Sequence, residues 1–296
     1  MTKGWNRHNV HTMQKKGTVR LNIIIYFLIG LSFLWPFSDG IACTLFGAIG
    51  SGVEGEGVLI GKTRDRPEKL DQVFIEVFPK GGYSYRGIST KGKTNVTSGL
   101  NTKGLVVISA AASSMKKEGK RTSVGKILSR ASSVDEVIAL VQKGEVQGPI
   151  YYLVGDIHKI AILEVIDGYR HGFLVKESGV LSHTNHCILK DMKSFNRKIG
   201  TSSQARLGRI ERLLSDGPFT KDRFISFARD HFNGPGNHSI CRHFEPGVRS
   251  SDQTISAAVY YLPEGSFPEI WVTLGQPCQS VFSSQPSGSS QPHNLP

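Results

Sequence analysis

Residues 41–44 read IACT and residues 58–65 read VLIGKTRD, and these two stretches decide the fold and the chemistry that it carries. Small residues precede Cys43, as they do at the end of a secretory signal peptide. A cut after Ala42 would make Cys43 the first residue of the mature chain. Its thiol and its free α-amine would then share one residue, and the amine could serve as the base for the thiol.

A hairpin is predicted from the residues between and around these stretches. Residues 43–49 and 58–61 predict two strands, and the four glycines of residues 50–57 predict the turn that joins them. That geometry would bring Asp65, at the far end of the hairpin, back beside Cys43.

Residues 1–42 have the composition of a signal peptide. The basic residues and the apolar run that follows them are Lys15, Lys16, Arg20 and residues 21–37. The run is on the short side for a membrane span, which needs about 20 residues, and an uncleaved anchor is one alternative. The sequence before Cys43 also resembles a lipobox, and a lipid there would consume both the thiol and the amine. We therefore expect an exported protein, with a membrane-anchored lipoprotein as the alternative.

Composition indicates one globular domain over residues 43–282 and a disordered tail over residues 283–296. The chain has 296 residues, 39% of them hydrophobic and 20% charged, which is enough apolar surface for a core. The tail is rich in Ser, Gln, Pro and Gly. The net charge is +12, but the basic residues are scattered, so we expect no nucleic-acid partner. The expected partner is a small-molecule amide, with membrane contact only through the leader or a lipid; a homo-oligomer is left open.

The order of predicted elements indicates an α+β protein with antiparallel sheets. Strands come first, then a pair of helices, then strands, a second helical pair and closing strands, with hairpin turns between neighbouring strands. Helices in pairs, not alternating singly with strands, argue against a doubly wound parallel sheet. The predicted helices begin near Ser123, Ser133 and Thr220. The apolar stripe that includes Leu207 and Ile210 predicts one more helix.

Five motifs occur in an order that resembles a known family. They are Cys43-Thr44, VLIGKTRD at 58–65, GLNTKGL at 99–105, Thr184-Asn185-His186 and SSQAR at 202–206. Together they are similar to the N-terminal-nucleophile (Ntn) hydrolases, in the isopenicillin-N acyltransferase-like branch related to penicillin V acylases and choloylglycine hydrolases. The resemblance runs from Cys43 to about Phe282 and implies a four-layer αββα sandwich.

The resemblance also implies a mechanism, in which the Cys43 thiolate attacks an amide carbonyl and forms a thioester. Water or an amine then releases the acyl group, so the activity is that of an amide hydrolase, with an acyltransferase as the alternative. Asp65 would accept hydrogen bonds from the amine and orient it, and Arg206 would favour the thiolate. Asn185 would donate to the oxyanion, with a backbone N–H near Ala111 as the second donor. No cofactor is implied.

The chain departs from the family pattern at three positions. Thr63 replaces the usual Asn, Lys62 stands where bile-salt relatives carry Arg, and Ala111 stands near an Asn of those relatives. The last two argue against a bile-salt site.

Each site residue also has an ordinary structural alternative. Asp65 could be a turn acid, Asn185 a strand-end residue and Arg206 a partner in a surface ion pair. The competing functions are a papain-type Cys/His hydrolase and a non-enzymatic lipoprotein on the same fold. The histidines that could serve as base in the first of these are His158, His183 and His186.

Four cysteines leave a disulfide open in an oxidising compartment; they are Cys43, Cys187, Cys241 and Cys278. With Cys43 reserved as a thiol, one bridge and one buried thiol is the simplest arrangement, and we guess Cys241 with Cys278, although spacing alone does not fix the pairing. Two groups have spacings that hint at metal, His238 with Cys241 and His243, and His183 with His186. Because no fourth ligand is placed, we expect no metal.

Overall fold

The computed structural model describes residues 42–115, 119–248 and 251–287. The predicted leader lies outside these residues except for Ala42, and so does most of the predicted tail. Within the described ranges, every helix is too short or too polar to span a bilayer.

The hairpin predicted around Cys43 is present. β1 (Cys43–Ile49) and β2 (Val58–Arg66) pair antiparallel, with Cys43 opposite Arg64 and Ile49 opposite Val58. A 3₁₀ turn over Gly50–Gly52 opens the connection. β2 is longer than predicted, because residues 62–65 are polar and yet buried. β2 is an inner strand between β1 and β11 (Gln253–Leu262), and other layers pack on both faces of its sheet, so these side chains are covered.

The described strands form two sheets, and every strand pair within them is antiparallel. The six-stranded sheet has the order β10-β1-β2-β11-β12-β13, and the seven-stranded sheet runs from β3 to β9 in sequence order. The remaining strands are β3 Gln72–Val77, β4 Tyr85–Thr90, β5 Val96–Asn101, β6 Val106–Ala111, β7 Ile150–Gly155, β8 Ile160–Val165, β9 His171–Lys176, β10 Gly179–His183, β11 Gln253–Leu262, β12 Glu269–Thr273 and β13 Ser283–Gln285.

Three of the helices begin at the caps that the sequence predicted. α1 (Val124–Leu128) and α2 (Val134–Gln142) follow Ser123 and Ser133, whose hydroxyls accept hydrogen bonds from backbone N–H groups of the first turn. α3 (Thr201–Leu213) precedes α4 (Lys221–Ala228), which Thr220 caps in the same way.

Three buried apolar clusters define four layers, which confirms the predicted αββα sandwich. One cluster lies between the sheets, with Leu45 and Ile60 facing Ile108 and Leu153. A second joins the seven-stranded sheet to α1 and α2, and a third joins the six-stranded sheet to α3 and α4. Cys43 belongs to the cluster between the sheets.

The predicted tail begins too early. Ser283–Gln285 form β13, which pairs with β12, so the prediction of disorder was wrong for these three residues. Polar composition hid the strand, because an edge strand needs only backbone partners on one side. Residues 288–296 lie outside the described residues.

Gly61 is the tightest point of the hairpin. A Cβ there would lie 2.1 Å from the ring of Phe46, which packs 5.2 Å from the ring of Phe224 and cannot move away. Gly61→Ala should therefore lower the free energy of unfolding by about 1–3 kcal/mol, measured by urea denaturation. Gly208→Ala, in α3 where a Cβ meets nothing within 4 Å, is the control and should be neutral or stabilising by up to about 1 kcal/mol. Equal effects of the two changes would contradict this packing.

Candidate active site

Cys43 opens β1 and is anchored through its backbone. Only 3% of the residue is exposed. Its N–H donates to Asn185 Oδ1 at 3.1 Å, and its carbonyl accepts from Arg206 Nη1 at 2.7 Å. In the uncut chain this nitrogen belongs to the Ala42–Cys43 peptide bond, so the contacts fix the position from which an amine would act.

Arg206 brings a buried positive charge to Cys43 from the first half of α3. The residue is 1% exposed, and its guanidinium also donates to Thr44 Oγ1 at 2.9 Å and to Asn185 Oδ1 at 2.8 Å. Among the described residues no carboxylate oxygen lies within 4.0 Å of it, so Arg206 is not the surface ion-pair partner that the sequence also allowed. Burial, and then the nearby Arg242, lower the pKa of Arg206 to about 10, which leaves it charged at neutral pH.

Asn185 follows β10 and connects Cys43 with Arg206. Its side-chain oxygen accepts from both, and its Nδ2 donates to the Ala111 carbonyl at 2.9 Å. The backbone N–H of Asn185 donates to Ser203 Oγ at 3.0 Å, which ties this segment to α3. The amide oxygen therefore faces the Cys43 nitrogen. Donation from Nδ2 to an oxyanion, and the second donor near Ala111, stay predictions.

Asp65 lies beside the Ala42–Cys43 bond, but its carboxylate has other partners. Its backbone N–H donates to the Ala42 carbonyl at 3.0 Å. Its carboxylate accepts from Thr254 Oγ1 at 2.8 Å and lies 3.5 Å from Arg242 Nη1. Asp65 is fully buried within β2 and is not a turn acid. A hydrogen bond between its carboxylate and a Cys43 amine stays a prediction.

Two further cations share the sheet face of Cys43, and the sequence analysis did not assign them a role. Arg64 is directly opposite Cys43, and Lys62 is opposite Leu45, so all of these side chains point between the sheets. Lys62 Nζ donates to the Thr97 carbonyl at 2.7 Å. Burial lowers the pKa of Lys62 to about 8 and that of Arg64 to about 10. Had the predicted strand been extended past Gly61, its two-residue alternation would have placed Lys62 and Arg64 on the face that points between the sheets.

The histidines that a papain-type site would need have other partners. His183 Nε2 lies 2.8 Å from Glu164 Oε1, and both side chains are fully buried. His186 Nδ1 lies 2.7 Å from Ser203 Oγ, and burial lowers its pKa to about 4. His158 lines a cavity at the opposite end of β1. Among the described residues, none of these rings forms a hydrogen bond or ion pair with Cys43.

The larger cavity is remote from this site. It has a volume of about 480 Å³ and is lined by Ile49 and Gly50, at the end of β1 away from Cys43. A second cavity of about 340 Å³ is lined by Met115, Ile166 and Phe195, which pack against the cluster that contains Cys43.

All four cysteines are free thiols in the structure, so the guessed Cys241–Cys278 bridge is not formed. Burial raises the pKa of the Cys187 thiol to about 12, as expected of an inert core residue. His238 Nε2 lies 3.4 Å from Thr201 Oγ1 and is not grouped with Cys241 and His243 as the sequence spacing had hinted.

The buried Lys62 gives the fold a pH dependence of known sign. Below about pH 8 both folded and unfolded chains carry the charged lysine, so the folded state bears the full cost of burial. Between about 8 and its ordinary pKa of 10.5 the unfolded chain binds more protons, and that cost disappears as the pH rises.

Lys62→Met should therefore raise the free energy of unfolding at neutral pH, by about 3 kcal/mol at most, and the gain should vanish near the ordinary lysine pKa. Chemical denaturation across this pH range measures it. Lys126→Met, on an exposed position of α1, is the matched control and should show no such trend. A gain that is the same at every pH would refute the assignment of the cost to the Lys62 charge.

Comparison with known proteins gives a family and a fold. Residues 53–279 match the sequence profile described as Acyl-coenzyme A:6-aminopenicillanic acid acyl-transferase. The Acyl-coenzyme A:6-aminopenicillanic-acid-acyltransferase 40 kDa form of Emericella nidulans is 30% identical over 122 residues, which are 41% of this chain and 33% of that relative. This chain thus matches about one third of the curated relative's length.

Solved structures share the architecture at low sequence identity. A Caenorhabditis elegans N-acylethanolamine-hydrolyzing acid amidase (NAAA) ortholog superposes with a TM-score of 0.52 at 13% identity, over 75% of this chain and 94% of that chain. The penicillin V acylase from Agrobacterium tumefaciens superposes with a TM-score of 0.49 at 16% identity, over 77% of this chain and 82% of that chain. The first of these likenesses supports the four-layer fold.

Proposed function

This chain belongs to the acyl-coenzyme A:6-aminopenicillanic acid acyl-transferase family, an Ntn-hydrolase family of acylases and acyltransferases, and from that premise we propose that it is an N-terminal-cysteine amide hydrolase. It would cleave linear amides through a thioester on Cys43. The observation that carries the proposal is the double anchoring of the Cys43 backbone, its N–H by Asn185 and its carbonyl by Arg206.

Processing after Ala42 creates the base. In the uncut chain the Cys43 nitrogen is an amide that donates its only hydrogen to Asn185. Hydrolysis of the Ala42–Cys43 bond leaves an amine with a lone pair on the same nitrogen, and this amine can take the thiol proton. The Ala42 carbonyl is already held by the Asp65 N–H. Asn185 Oδ1 then orients the amine, a role that the resemblance assigned to Asp65.

Positive charge supports the nucleophile. Arg64 and Lys62 share the sheet face of the buried Cys43 side chain, Arg206 holds its carbonyl, and a cation beside a sulfur favours the thiolate over the thiol. A buried guanidinium normally needs an anionic partner, and Arg206 has no carboxylate within 4.0 Å among the described residues. The Cys43 thiolate, and afterwards the tetrahedral oxyanion, would supply that negative charge.

The chemical step follows from these positions. The thiolate adds to the amide carbonyl, the Cys43 ammonium returns its proton to the leaving amine, and the C–N bond breaks to leave a thioester. Water, deprotonated by the same amine, then attacks the thioester and releases the acid and the thiol. Asn185 Nδ2 is the proposed donor to the oxyanion in both steps.

Transfer to an amine is the second candidate. The family's description is that of an acyl-transferase, and an amine that reaches the thioester before water would give a new amide instead of an acid. The two outcomes share every residue named above and differ only in the acceptor.

Export through the leader is proposed on the composition of residues 1–42. Lipidation of Cys43 is disfavoured by its burial between the sheets, because an anchored residue must reach the bilayer surface. The proposed protein is therefore a secreted or periplasmic enzyme with a small-molecule amide substrate.

Cys43→Ser is expected to abolish turnover of N-acyl amide substrates, by about 10⁴-fold or more, while the unfolding midpoint stays unchanged. N-terminal sequencing of the active wild-type protein should give Cys43 as its first residue. Cys187→Ser, at a buried thiol, is the matched control and should retain turnover. Full activity in a chain that begins upstream of Cys43 would refute the mechanism.

Arg206→Gln should slow alkylation of Cys43 by iodoacetamide at neutral pH by about tenfold or more, because the thiolate loses the buried cation that is bonded to its own residue. Cys43 labelling is followed by peptide mass spectrometry in the processed protein. Arg212→Gln, on the exposed side of the same helix, should leave the rate unchanged. An alkylation rate that does not respond to Arg206→Gln would remove Arg206 from the proposed site.

A further inference from the structure

Four metal-ligand side chains converge outside the proposed active site. They are His231, Cys241, His243 and Cys278, and their ligand atoms all lie within 4.8 Å of one another. Three of them lie in the connection between α4 and β11, and Cys278 lies in the turn after β12. Folding has thus brought Cys278 to three side chains that precede it by 35 residues or more.

Two distances within this cluster are close to those between neighbouring ligands of one metal ion. His243 Nε2 lies 3.1 Å from His231 Nε2 and 3.3 Å from Cys278 Sγ. Nitrogen and sulfur ligands at usual zinc distances on the corners of a tetrahedron are separated by roughly 3.3 to 3.8 Å. One imidazole nitrogen holds either one proton or one lone pair, so hydrogen bonding serves one of these neighbours and not both. A cation at the centre serves all of them.

We propose that His231, Cys241, His243 and Cys278 bind a zinc ion. Two imidazole nitrogens and two thiolates form the S₂N₂ donor set that selects Zn²⁺, and four protein ligands make a closed, structural site. The site is distinct from the proposed catalytic cysteine and from the disulfide that the sequence analysis guessed, because both sulfurs are free thiols in the structure. Cys241 is fully buried and Cys278 is at the surface, so the ion can enter from solvent.

The zinc ion would position Arg242, which lies between two of its ligands. The Arg242 N–H donates to Thr254 Oγ1 at 2.8 Å, and its carbonyl accepts from Gln276 Nε2 at 2.9 Å. Its guanidinium contacts Asp252 at 2.7 Å and Asp65 at 3.5 Å. Between α4 and β11 the described residues form no helix or strand, so the metal supplies the constraint that secondary structure does not. The consequence for Asp65 rests on the proposed function; zinc binding does not.

The experiment uses the full chain in a Cys43→Ala, Cys187→Ser background, which leaves Cys241 and Cys278 as its cysteines. Protein purified with reductant and zinc is dialysed, and its metal content is measured by plasma mass spectrometry. We expect one zinc per chain, two thiols that become reactive only after chelation, and a thiolate-to-metal charge-transfer band when Co²⁺ replaces zinc. Because the background lacks the proposed nucleophile, failure here is separate from failure of the proposed function.

Cys278→Ser and His231→Gln should each weaken zinc binding by more than about 100-fold, since even partners outside the coordination sphere are worth 10–100-fold. His238→Gln, a nearby exposed histidine outside the cluster, is the matched control and should bind zinc normally. Much less than one zinc per chain in the background protein, a Cys241–Cys278 disulfide formed despite reductant and zinc, or full binding by the Cys278→Ser, His231→Gln double variant would overturn the proposal.

Discussion

The buried guanidinium of Arg206 is the constraint that the rest of the structure satisfies. A charge taken out of water is tolerated only when its donors are satisfied, and here the acceptors come from separate parts of the chain. On β1 the acceptors are the Cys43 carbonyl and Thr44 Oγ1. Asn185 Oδ1 accepts just after β10, and Ser202 Oγ accepts within α3 itself. The hairpin, its neighbouring strand and the helical layer must therefore meet at one point, and that point is Cys43.

The polar half of β2 shows what this arrangement costs. Lys62, Thr63, Arg64 and Asp65 all lie inside the protein, where aliphatic side chains would be cheaper to bury. Their alternation sends two cations toward Cys43 and between the sheets, and Asp65 toward Arg242 and Thr254. A strand built for stability alone would not carry this sequence, which is the strongest structural reason to regard the region as functional.

Local signals in the sequence predicted what depends on local physics. The glycines of residues 50–57 gave the turn, and Ser133 and Thr220 predicted helix starts because a hydroxyl caps the nearest backbone N–H groups. The end of β2 was missed, because buried polar residues look like a loop until their partners are known. Arg242 was missed because its partner Asp65 lies 177 residues away in the sequence, and sequence spacing does not predict a contact over that distance. The sequence spacing grouped Cys241 and His243 with His238, and no metal was expected; in the fold His231 takes the place of His238, and Cys278 comes close as a free thiol.

The cations around Cys43 act on both halves of the proposed catalytic pair. Arg206 holds the Cys43 carbonyl, Arg64 and Lys62 share the sheet face of its side chain, and the acceptor on its nitrogen is the neutral oxygen of Asn185. In the proposed mechanism these cations stabilise the thiolate. They also disfavour the ammonium that receives the thiol proton, which makes this ammonium a stronger acid toward the leaving amine when the C–N bond breaks. The proposed pair thus moves its proton from thiol to amine to leaving group without a histidine.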